Sequence, residues 1–191
     1  MKNIAIFASG SGTNTEKIIR YFNDKEKAQA KVALVVCNNP MAGVLEKSNR
    51  LGVSTAIVTE DQLKQQNYML ELFHQHNIEF IVLAGFLKLI PGFMIYQYTE
   101  RIVNIHPALL PKYGGKGMYG MRVHQAVWEN KERQTGITIH YANEKYDEGD
   151  ILFQATTQLT DEDTPNTIAQ KVQQLEHRYY PWVLEALLQD L

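Results

Sequence analysis

Short apolar runs alternate with amphipathic segments through the first 105 residues, and this alternation limits the fold more than any other feature of the sequence. The runs have strand length. Runs such as 4–8 and 80–84 are wholly apolar, which is typical of parallel strands that are buried on both faces, whereas 53–58 is rich in β-branched residues. Parallel neighbours need crossover connections, and the helical segments between the runs supply them. The predicted strands are 4–8, 31–37, 53–58, 80–84 and 101–105, and the predicted helices are 14–22, 42–51 and 59–76.

The pattern changes after residue 106. Two adjacent strand-like segments, 135–141 and 151–158, predict a hairpin or an antiparallel edge. A short helix is predicted at about 124–130, and Thr164-Pro165 supplies the cap and first-turn proline of a last helix that runs to about residue 188. The predicted fold class is therefore α/β: a doubly wound, mostly parallel, Rossmann-like sheet with an antiparallel C-terminal edge and a long C-terminal helix.

Composition narrows the class of protein. The 191 residues include 45% hydrophobic and 21% charged side chains, which predicts one ordered domain, 1–191. The net charge of -2 argues against a dedicated nucleic-acid binder, which would usually be basic. Cys37 is the one cysteine, so an internal disulfide is excluded and a reducing compartment is favoured. The chain does not open on a signal-peptide pattern, and its longest apolar run, 80–87, is too short to cross a bilayer. We therefore expect a cytoplasmic protein without membrane or nucleic-acid partners.

A glycine-rich turn joins the first predicted strand to the first helix. Gly10 and Gly12 permit a tight turn, and the free N–H groups at the start of the helix favour an anion. A dinucleotide fingerprint would need a third glycine where Thr15 stands, and the Gly-Lys-Ser/Thr end of a P-loop is also missing. A single phosphate is therefore the better interpretation, and a plain glycine turn is the alternative.

Two polar side chains end the fifth predicted strand. Asn104 and His106 are two residues apart, so strand alternation puts both on one side, at the carboxyl edge where open α/β sheets bind ligands. An amide donor beside an imidazolium can stabilise an oxyanion, and histidine exchanges protons near neutral pH. The alternative is a structural pair that is satisfied within a turn.

The loop between the last two strands is strongly acidic. Asp147 in this loop would orient a nearby histidine or favour its charged form, although a solvated hairpin turn explains the same residues. The other histidines and Cys37 do not form a metal-binding set, because His74 and His76 point apart on a helix and Cys37 stands alone. No metal site is predicted.

Six segments together carry a resemblance to a known family. The Asn-Ile-His-Pro and Leu-Leu-Pro motifs are shared by the wider formyltransferase superfamily. The N-terminal Gly-Ser-Gly-Thr-Asn segment points to one family within it. The chain as a whole resembles the phosphoribosylglycinamide formyltransferases, the folate-dependent enzymes of purine synthesis. The segments are 10–14, 83–90, 104–113, 135–140, 147–149 and 176–177.

The resemblance implies formyl transfer from 10-formyltetrahydrofolate to the amine of glycinamide ribonucleotide, by direct attack without a metal or a covalent enzyme intermediate. The family's catalytic trio falls on Asn104, His106 and Asp147. Asn104 would donate to the oxyanion, and His106 would stabilise that oxyanion and act as the general acid. Asp147 would favour the charged histidine and help to move the amine proton through water.

Binding roles follow from the same resemblance. The phosphate would bind at Gly12, Thr13 and Asn14, and the ribose at Glu176 with Gln173 nearby. The pterin ring of the folate would lie between two segments that flank the trio. The folate-binding positions are Leu87, Lys88, Leu89, Ile90, Asn104, His140, Asn143, Glu144, Lys145, Tyr146 and Asp147.

The likeness also implies a division of the chain and of its partners. Residues 1–100 would form the nucleotide- and phosphate-binding half, and 101–191 the catalytic and folate-binding half. The two substrates are the expected partners, and the protein would be a monomer or a homodimer.

Two departures from the family pattern leave alternatives open. The loop 114–124 is longer and richer in glycine than in many relatives, and Gln62 stands where some have an arginine near the folate tail, so Lys64 or Lys88 would bind the tail instead. The alternatives are a formyltransferase for an amino sugar nucleotide or methionyl-tRNA, a formyltetrahydrofolate hydrolase, and a non-catalytic nucleotide- or folate-binding module.

Overall fold

One sheet organises the molecule in the computed structural model, which describes residues 1–24 and 28–189. Seven strands of this described part belong to the sheet. They are Lys2–Ala8 (β1), Ala30–Cys37 (β2), Ser54–Ile57 (β3), Ile78–Leu83 (β4), Ile102–His106 (β5), Gln134–Tyr141 (β6) and Ile151–Gln158 (β7).

The strands lie in the order β3-β2-β1-β4-β5-β6-β7. The first five run parallel to one another, whereas β6 is antiparallel to β5 and β7 is antiparallel to β6. The order reverses between β1 and β4, and such a reversal opens a crevice at the carboxyl ends of the strands. The predicted fold class, with its antiparallel C-terminal edge, is confirmed.

Helices cover both faces of this sheet, as the chain's alternating pattern predicts. In the same described residues there are seven α-helices, including the long C-terminal helix. They are Thr13–Asn23 (α1), Gly43–Arg50 (α2), Glu60–Lys64 (α3), Gln66–Gln75 (α4), Gly92–Gln97 (α5), Met121–Glu129 (α6) and Pro165–Gln189 (α7).

Three helical segments differ from the sequence-based expectation. The helix predicted over 59–76 is divided at Gln65, whose extended backbone (φ -87°, ψ 102°) separates α3 from α4. The short helix α5 follows Pro91 and was not predicted, because six residues are too few to establish a helical period. Helix α6 begins at Met121, ahead of the expected start at about residue 124, directly after Gly120.

The apolar side chains form one core on each face of the sheet. Alternate residues of β1 point to opposite faces, so Ile4 and Ile6 join one core while Ala5 and Phe7 join the other. All four side chains are completely buried. This two-sided packing explains why the β1 run is continuously apolar, and it fixes the strand ends that form the site.

Candidate active site

The carboxyl ends of β1, β4 and β5 open into a cavity of about 580 Å³. The site residues predicted from sequence come from distant parts of the chain, yet the fold brings all but one of them to this cavity. Those that line it are Gly12, Thr13, Asn14, Leu87, Lys88, Leu89, Ile90, Asn104, His106, His140, Asn143, Lys145, Tyr146, Asp147, Gln173 and Glu176.

Strand β5 presents the first two polar groups of the site. Asn104 and His106 are separated by one residue of regular strand, so both side chains reach the cavity, as strand alternation predicts. The antiparallel register places Asn104 directly opposite His140 on β6. The imidazole of His106 is buried at 3% exposure, so water cannot easily replace its protein partners.

The two ring nitrogens of His106 each face a hydrogen-bond acceptor. Nε2 lies 2.7 Å from the carbonyl oxygen of Tyr113, which can only accept, so Nε2 carries a hydrogen. Nδ1 lies 3.4 Å from Oδ2 of Asp147. A second proton on Nδ1 would therefore also meet an acceptor, and the ring is oriented for the doubly protonated form.

Asp147 is the anionic centre of the cavity. Burial on its own would raise the pKa of this carboxyl, but the hydrogen bond with His106, the charge of His106 and the N–H of Gly115 hold the pKa well below its usual range. The Gly115 N–H donates to Oδ2 at 2.9 Å. Asp147 is thus ionised throughout the neutral range. Its backbone is left-handed (φ 58°), and the residue lines the cavity.

The tautomer of His140 determines how Asn104 is oriented. Nδ1 of His140 donates to the carbonyl of Tyr141 at 2.8 Å, which leaves Nε2 as an acceptor. Nδ2 of Asn104 donates to this Nε2 at 3.0 Å and lies 3.4 Å from Oδ1 of Asp147. One N–H of the amide is therefore firmly held, and the other is only loosely engaged.

The turn after β1 has the geometry of an anion site. Gly12 (φ 72°) precedes α1 without a side-chain cap, so the first N–H groups of α1 are open to a ligand. A Cβ at Gly12 would lie 2.5 Å from a methyl group of Val44, which explains why glycine is required there. Thr13 and Asn14, the first residues of α1, also line the cavity.

Helix α7 brings two polar side chains to the same turn. Glu176 accepts a hydrogen bond from Nδ2 of Asn14 at 2.9 Å, and Gln173 lies 3.4 Å from the hydroxyl of Thr13. Burial raises the pKa of the Glu176 carboxyl, although the Asn14 hydrogen bond opposes the shift. Oδ1 of Asn14 is buried and has no protein partner, so it is free to accept a hydrogen bond from a ligand.

The proposed folate segments flank the other side of the cavity. Lys88 lines it and pairs with Glu60 at 2.7 Å; Lys64 pairs with the same carboxylate at 3.0 Å but does not line the cavity. Glu144 is the one expected site residue that lies outside. Its exposed side chain approaches Gly92, where a Cβ would be 2.6 Å from Oε1.

Several site groups were not found from sequence. The carbonyl of Tyr113 and the N–H of Gly115 are main-chain groups, which leave no sequence signal. The sequence places His124 only in a helix, but the residue lines the cavity. Burial and the nearby charge of His106 lower the pKa of His124 to about 4. The glycine-rich loop 115–120 also lines the cavity.

Residues 1–24 and 28–189 contain neither a metal-binding cluster nor a membrane-spanning helix. No group of three or more His, Cys, Asp and Glu side chains in these ranges is arranged to hold a metal ion. No helix among them is both long and apolar enough to traverse a bilayer.

Known proteins match this chain over almost its full length. The family model described as formyl transferase matches residues 2–184. The phosphoribosylglycinamide formyltransferase of Bacillus subtilis is 34% identical over 192 residues, which are 98% of this chain and 95% of that protein. The chloroplastic phosphoribosylglycinamide formyltransferase of Arabidopsis thaliana is 36% identical over 194 residues, which are 99% of this chain and 66% of that protein.

A solved structure agrees with both the fold and the sequence match. The crystal structure of phosphoribosylglycinamide formyltransferase from Bacillus halodurans superposes with a TM-score of 0.86 at 35% identity. The match covers 98% of this chain and 95% of that one. Because the family model and these relatives span nearly all of the sequence, the chain belongs to the formyl transferase family.

Proposed function

We propose that this chain transfers a formyl group from 10-formyltetrahydrofolate to the amine of glycinamide ribonucleotide, giving N-formylglycinamide ribonucleotide. One observation carries the proposal: Asp147 lies 3.4 Å from both the amide of Asn104 and the imidazole of His106, inside a single cavity. These are the groups that transfer of a formyl group to an amine requires, namely an oxyanion donor, a general acid and a negative charge that supports the acid.

The reaction begins when the amine nitrogen attacks the formyl carbon. A C–N bond forms, and the carbonyl electron pair moves to oxygen to give a tetrahedral oxyanion. The loosely engaged N–H of Asn104 is the donor available to this oxyanion, and the charged ring of His106 stabilises it further. The tetrahedral intermediate then collapses as the bond from the formyl carbon to N10 of the folate breaks.

Proton movement balances the two halves of the reaction. The attacking amine loses a proton through water toward Asp147, and N10 of the leaving tetrahydrofolate gains one from His106. The lowered pKa of Asp147 makes it a weak final base. Its larger role is therefore to remain ionised beside His106 and support the charged ring, while water carries the proton away.

Glycinamide ribonucleotide is expected to lie along the turn after β1. Its phosphate would accept hydrogen bonds from the N–H groups that follow Gly12, and its ribose hydroxyls would reach Glu176. Support comes from the open start of α1 and from the unpartnered Oδ1 of Asn14. Gln173, which lies beside Thr13, would complete the contact with the nucleotide.

The folate is expected on the opposite side of the trio. Residues 87–90 would hold its pterin ring through their backbone, and 143–147 would close over the ring. Of the two lysines considered for the glutamate tail, Lys88 is favoured over Lys64, because Lys88 alone of the pair lines the cavity. Glu144 is expected to take part through its backbone, since its side chain points away.

We also propose that the chain divides into a nucleotide half, 1–100, and a catalytic and folate half, 101–191. Each half would contribute residues to the binding of both ligands. Glu176 and Gln173 come from the second half and residues 87–90 from the first, so each ligand would contact both halves. We further propose a cytoplasmic enzyme, monomeric or homodimeric, whose chemistry uses no metal.

A direct test compares acceptors. The purified protein is incubated with 10-formyltetrahydrofolate and, in separate reactions, with glycinamide ribonucleotide, an amino sugar nucleotide or water alone. The proposal requires tetrahydrofolate to form only when glycinamide ribonucleotide is present, in equal amount to the formylated nucleotide. Turnover with the sugar nucleotide, or equal turnover in water alone, would assign the cavity to another formyl-folate reaction.

A further inference from the structure

We infer that Ser9 is a positioning residue for the folate: its hydroxyl, oriented by Asn38, fixes the backbone of the segment 84–91 that forms the ring-binding wall of the cavity. The inference rests on the proposed role of Leu87–Ile90 in holding the folate ring. Ser9 is the last residue before the glycine turn. Its role emerges from three hydrogen bonds.

The segment that Ser9 holds has little structure of its own. Residues 84–91, all within the described part of the chain, form neither helix nor strand between β4 and α5. Gly85 has a left-handed backbone (φ 76°), and Leu87 is 46% exposed. Such a segment can present its main chain to a ligand with precision only if neighbouring elements hold it.

Ser9 supplies two of the hydrogen bonds that hold it. The N–H of Ser9 donates to the carbonyl of Gly85 at 3.0 Å, and the hydroxyl of Ser9 accepts from the N–H of Leu87 at 3.1 Å. The intervening residue is fixed by packing, because the ring of Phe86 meets that of Phe7 edge-on at 5.1 Å. The main chain at Ser9 and this segment are thus clamped at two points, with an aromatic contact between them.

Asn38 determines which way the Ser9 hydroxyl points. The hydroxyl has one proton, which it donates to Oδ1 of Asn38 at 2.6 Å, at the end of β2. With the proton directed there, a lone pair of Oγ faces Leu87 and can accept its N–H. Ser9 is only 9% exposed, so water does not readily replace either partner. The chain of contacts runs from Asn38 through Ser9 to Leu87.

Loss of the Ser9 hydroxyl should therefore affect the binding of the two substrates differently. Removing the hydroxyl leaves the N–H of Leu87 without its protein partner and frees the segment to shift, while the N–H groups that follow Gly12 are untouched. The folate should therefore lose affinity, and the nucleotide should not. A serine that served only the stability of the fold would weaken both ligands or neither.

The test is a double-mutant cycle of Ser9→Ala and Asn38→Ala, read by KM for each substrate, by kcat and by direct binding of tetrahydrofolate. Ser9→Ala should raise the KM for 10-formyltetrahydrofolate and the dissociation constant of tetrahydrofolate about five- to tenfold, the usual size for loss of one hydrogen bond. The KM for glycinamide ribonucleotide should stay within about twofold. Asn38→Ala should act in the same direction, and the double variant should be no worse than Ser9→Ala alone.

Ser48→Ala is the matched control, because this buried serine donates only to the carbonyl of Val44 within α2. It should leave folate binding unchanged. Unchanged tetrahydrofolate binding in Ser9→Ala, an equal loss for both substrates, or additive effects in the double variant would overturn the inference. Because tetrahydrofolate binding is measured without turnover, an inactive parent protein would contradict the proposed function and still leave the positioning role decided by the binding data.

Discussion

Two neighbouring acceptors fix the orientation of the His106 ring. A carbonyl accepts from one ring nitrogen and a carboxylate faces the other, so rotation of the ring would break both contacts. The carbonyl belongs to Tyr113, which has a left-handed backbone (φ 58°) and whose hydroxyl donates to Glu132 at 2.9 Å. The orientation of the proposed acid therefore depends on a loop that is itself anchored.

Replacing His106 by alanine tests whether this orientation serves catalysis. We expect kcat to fall by about 10²- to 10⁴-fold, the range usual for loss of a general acid. Both ligands should still bind, since the turn after β1 and the segment 84–91, two of the proposed binding elements, are held by groups other than this side chain. Steady-state kinetics and ligand binding provide the measurement, with His74→Ala on the exposed side of α4 as the control. A His106→Ala variant as active as its parent would remove this residue from the mechanism.

The buried His124 predicts a specific dependence of stability on pH. The folded protein holds this ring neutral down to about pH 4, whereas the unfolded chain protonates it near its ordinary pKa of 6.5. The buried neutral ring therefore costs no stability above pH 6.5. As the pH falls from 6.5 to about 4, the free energy of unfolding decreases by an amount on the order of 3 kcal/mol, because the unfolded chain binds a proton that the folded protein does not. His124→Gln should flatten this part of the profile in urea unfolding at several pH values. An unchanged slope would show that His124 is not held neutral.

Some residues of the site can be predicted from local sequence patterns, and others cannot. Asn104 and His106 were placed correctly on one side because strand alternation is a local rule. Asp147 needed the family resemblance, since its loop alone is equally consistent with a solvated turn. The pairing of Asn104 with His140 depends on the register of β5 against β6, and the contact of His106 with the Tyr113 carbonyl depends on loop shape, so local patterns predict neither.

At the scale of elements, helix α7 connects the site to the centre of the sheet. The completely buried hydroxyl of Tyr180 lies 3.0 Å from the carbonyls of both Leu83 and Val103. These carbonyls belong to β4 and β5, next to the residues that line the cavity. The same helix carries Glu176 one turn earlier, so one element holds two strands and a proposed ribose ligand.

Tyr180→Phe should weaken this connection without changing the packing of the ring. We expect the free energy of unfolding to fall by about 1–3 kcal/mol, because two buried carbonyls lose their shared donor. Urea unfolding measures the change, and Tyr179→Phe on the adjacent, less buried position is the control. Equal stability of the Tyr180→Phe variant and its parent would show that the hydroxyl contributes nothing.

The turn before α1 is the second element whose geometry can be tested. Gly12→Ala introduces a Cβ about 2.5 Å from Val44 at a left-handed position, so the turn must shift. The KM for glycinamide ribonucleotide should rise at least about tenfold, whereas tetrahydrofolate binding should change little. Gly52→Ala is a suitable control, because that glycine is also left-handed (φ 71°) but has open space around it. Equal effects of the two variants would contradict a phosphate-binding role for the turn.

Elements of the parallel sheet were predictable and short helices were not. Apolar runs identified β1, β2 and β4 because burial on both faces leaves a strong compositional signal, whereas β-branched residues identified the partly exposed strand β3. The division at Gln65 and the six-residue helix α5 leave weak signals, since a few residues establish no period and tertiary packing decides their conformation.

At the scale of the whole molecule, the net charge of -2 contrasts with two anionic proposed substrates. Attraction must therefore come from local groups, mainly the open N–H groups of α1 and cations such as Lys88, which is already paired with Glu60. We expect the KM for glycinamide ribonucleotide to change by less than about threefold between low and near-physiological salt, because no long-range field steers it. Steady-state kinetics over that range measures this, and a steep loss with salt would point to a larger cationic surface.

The most direct test of the whole account follows the formyl group itself. With an isotope-labelled formyl group on the folate and unlabelled glycinamide ribonucleotide, the label should appear in N-formylglycinamide ribonucleotide in proportion to the tetrahydrofolate formed. The His106→Ala protein should bind both ligands and transfer almost none. Label released as free formate, or found on the nucleotide equally with the parent and the His106→Ala protein, would contradict formyl transfer by this site.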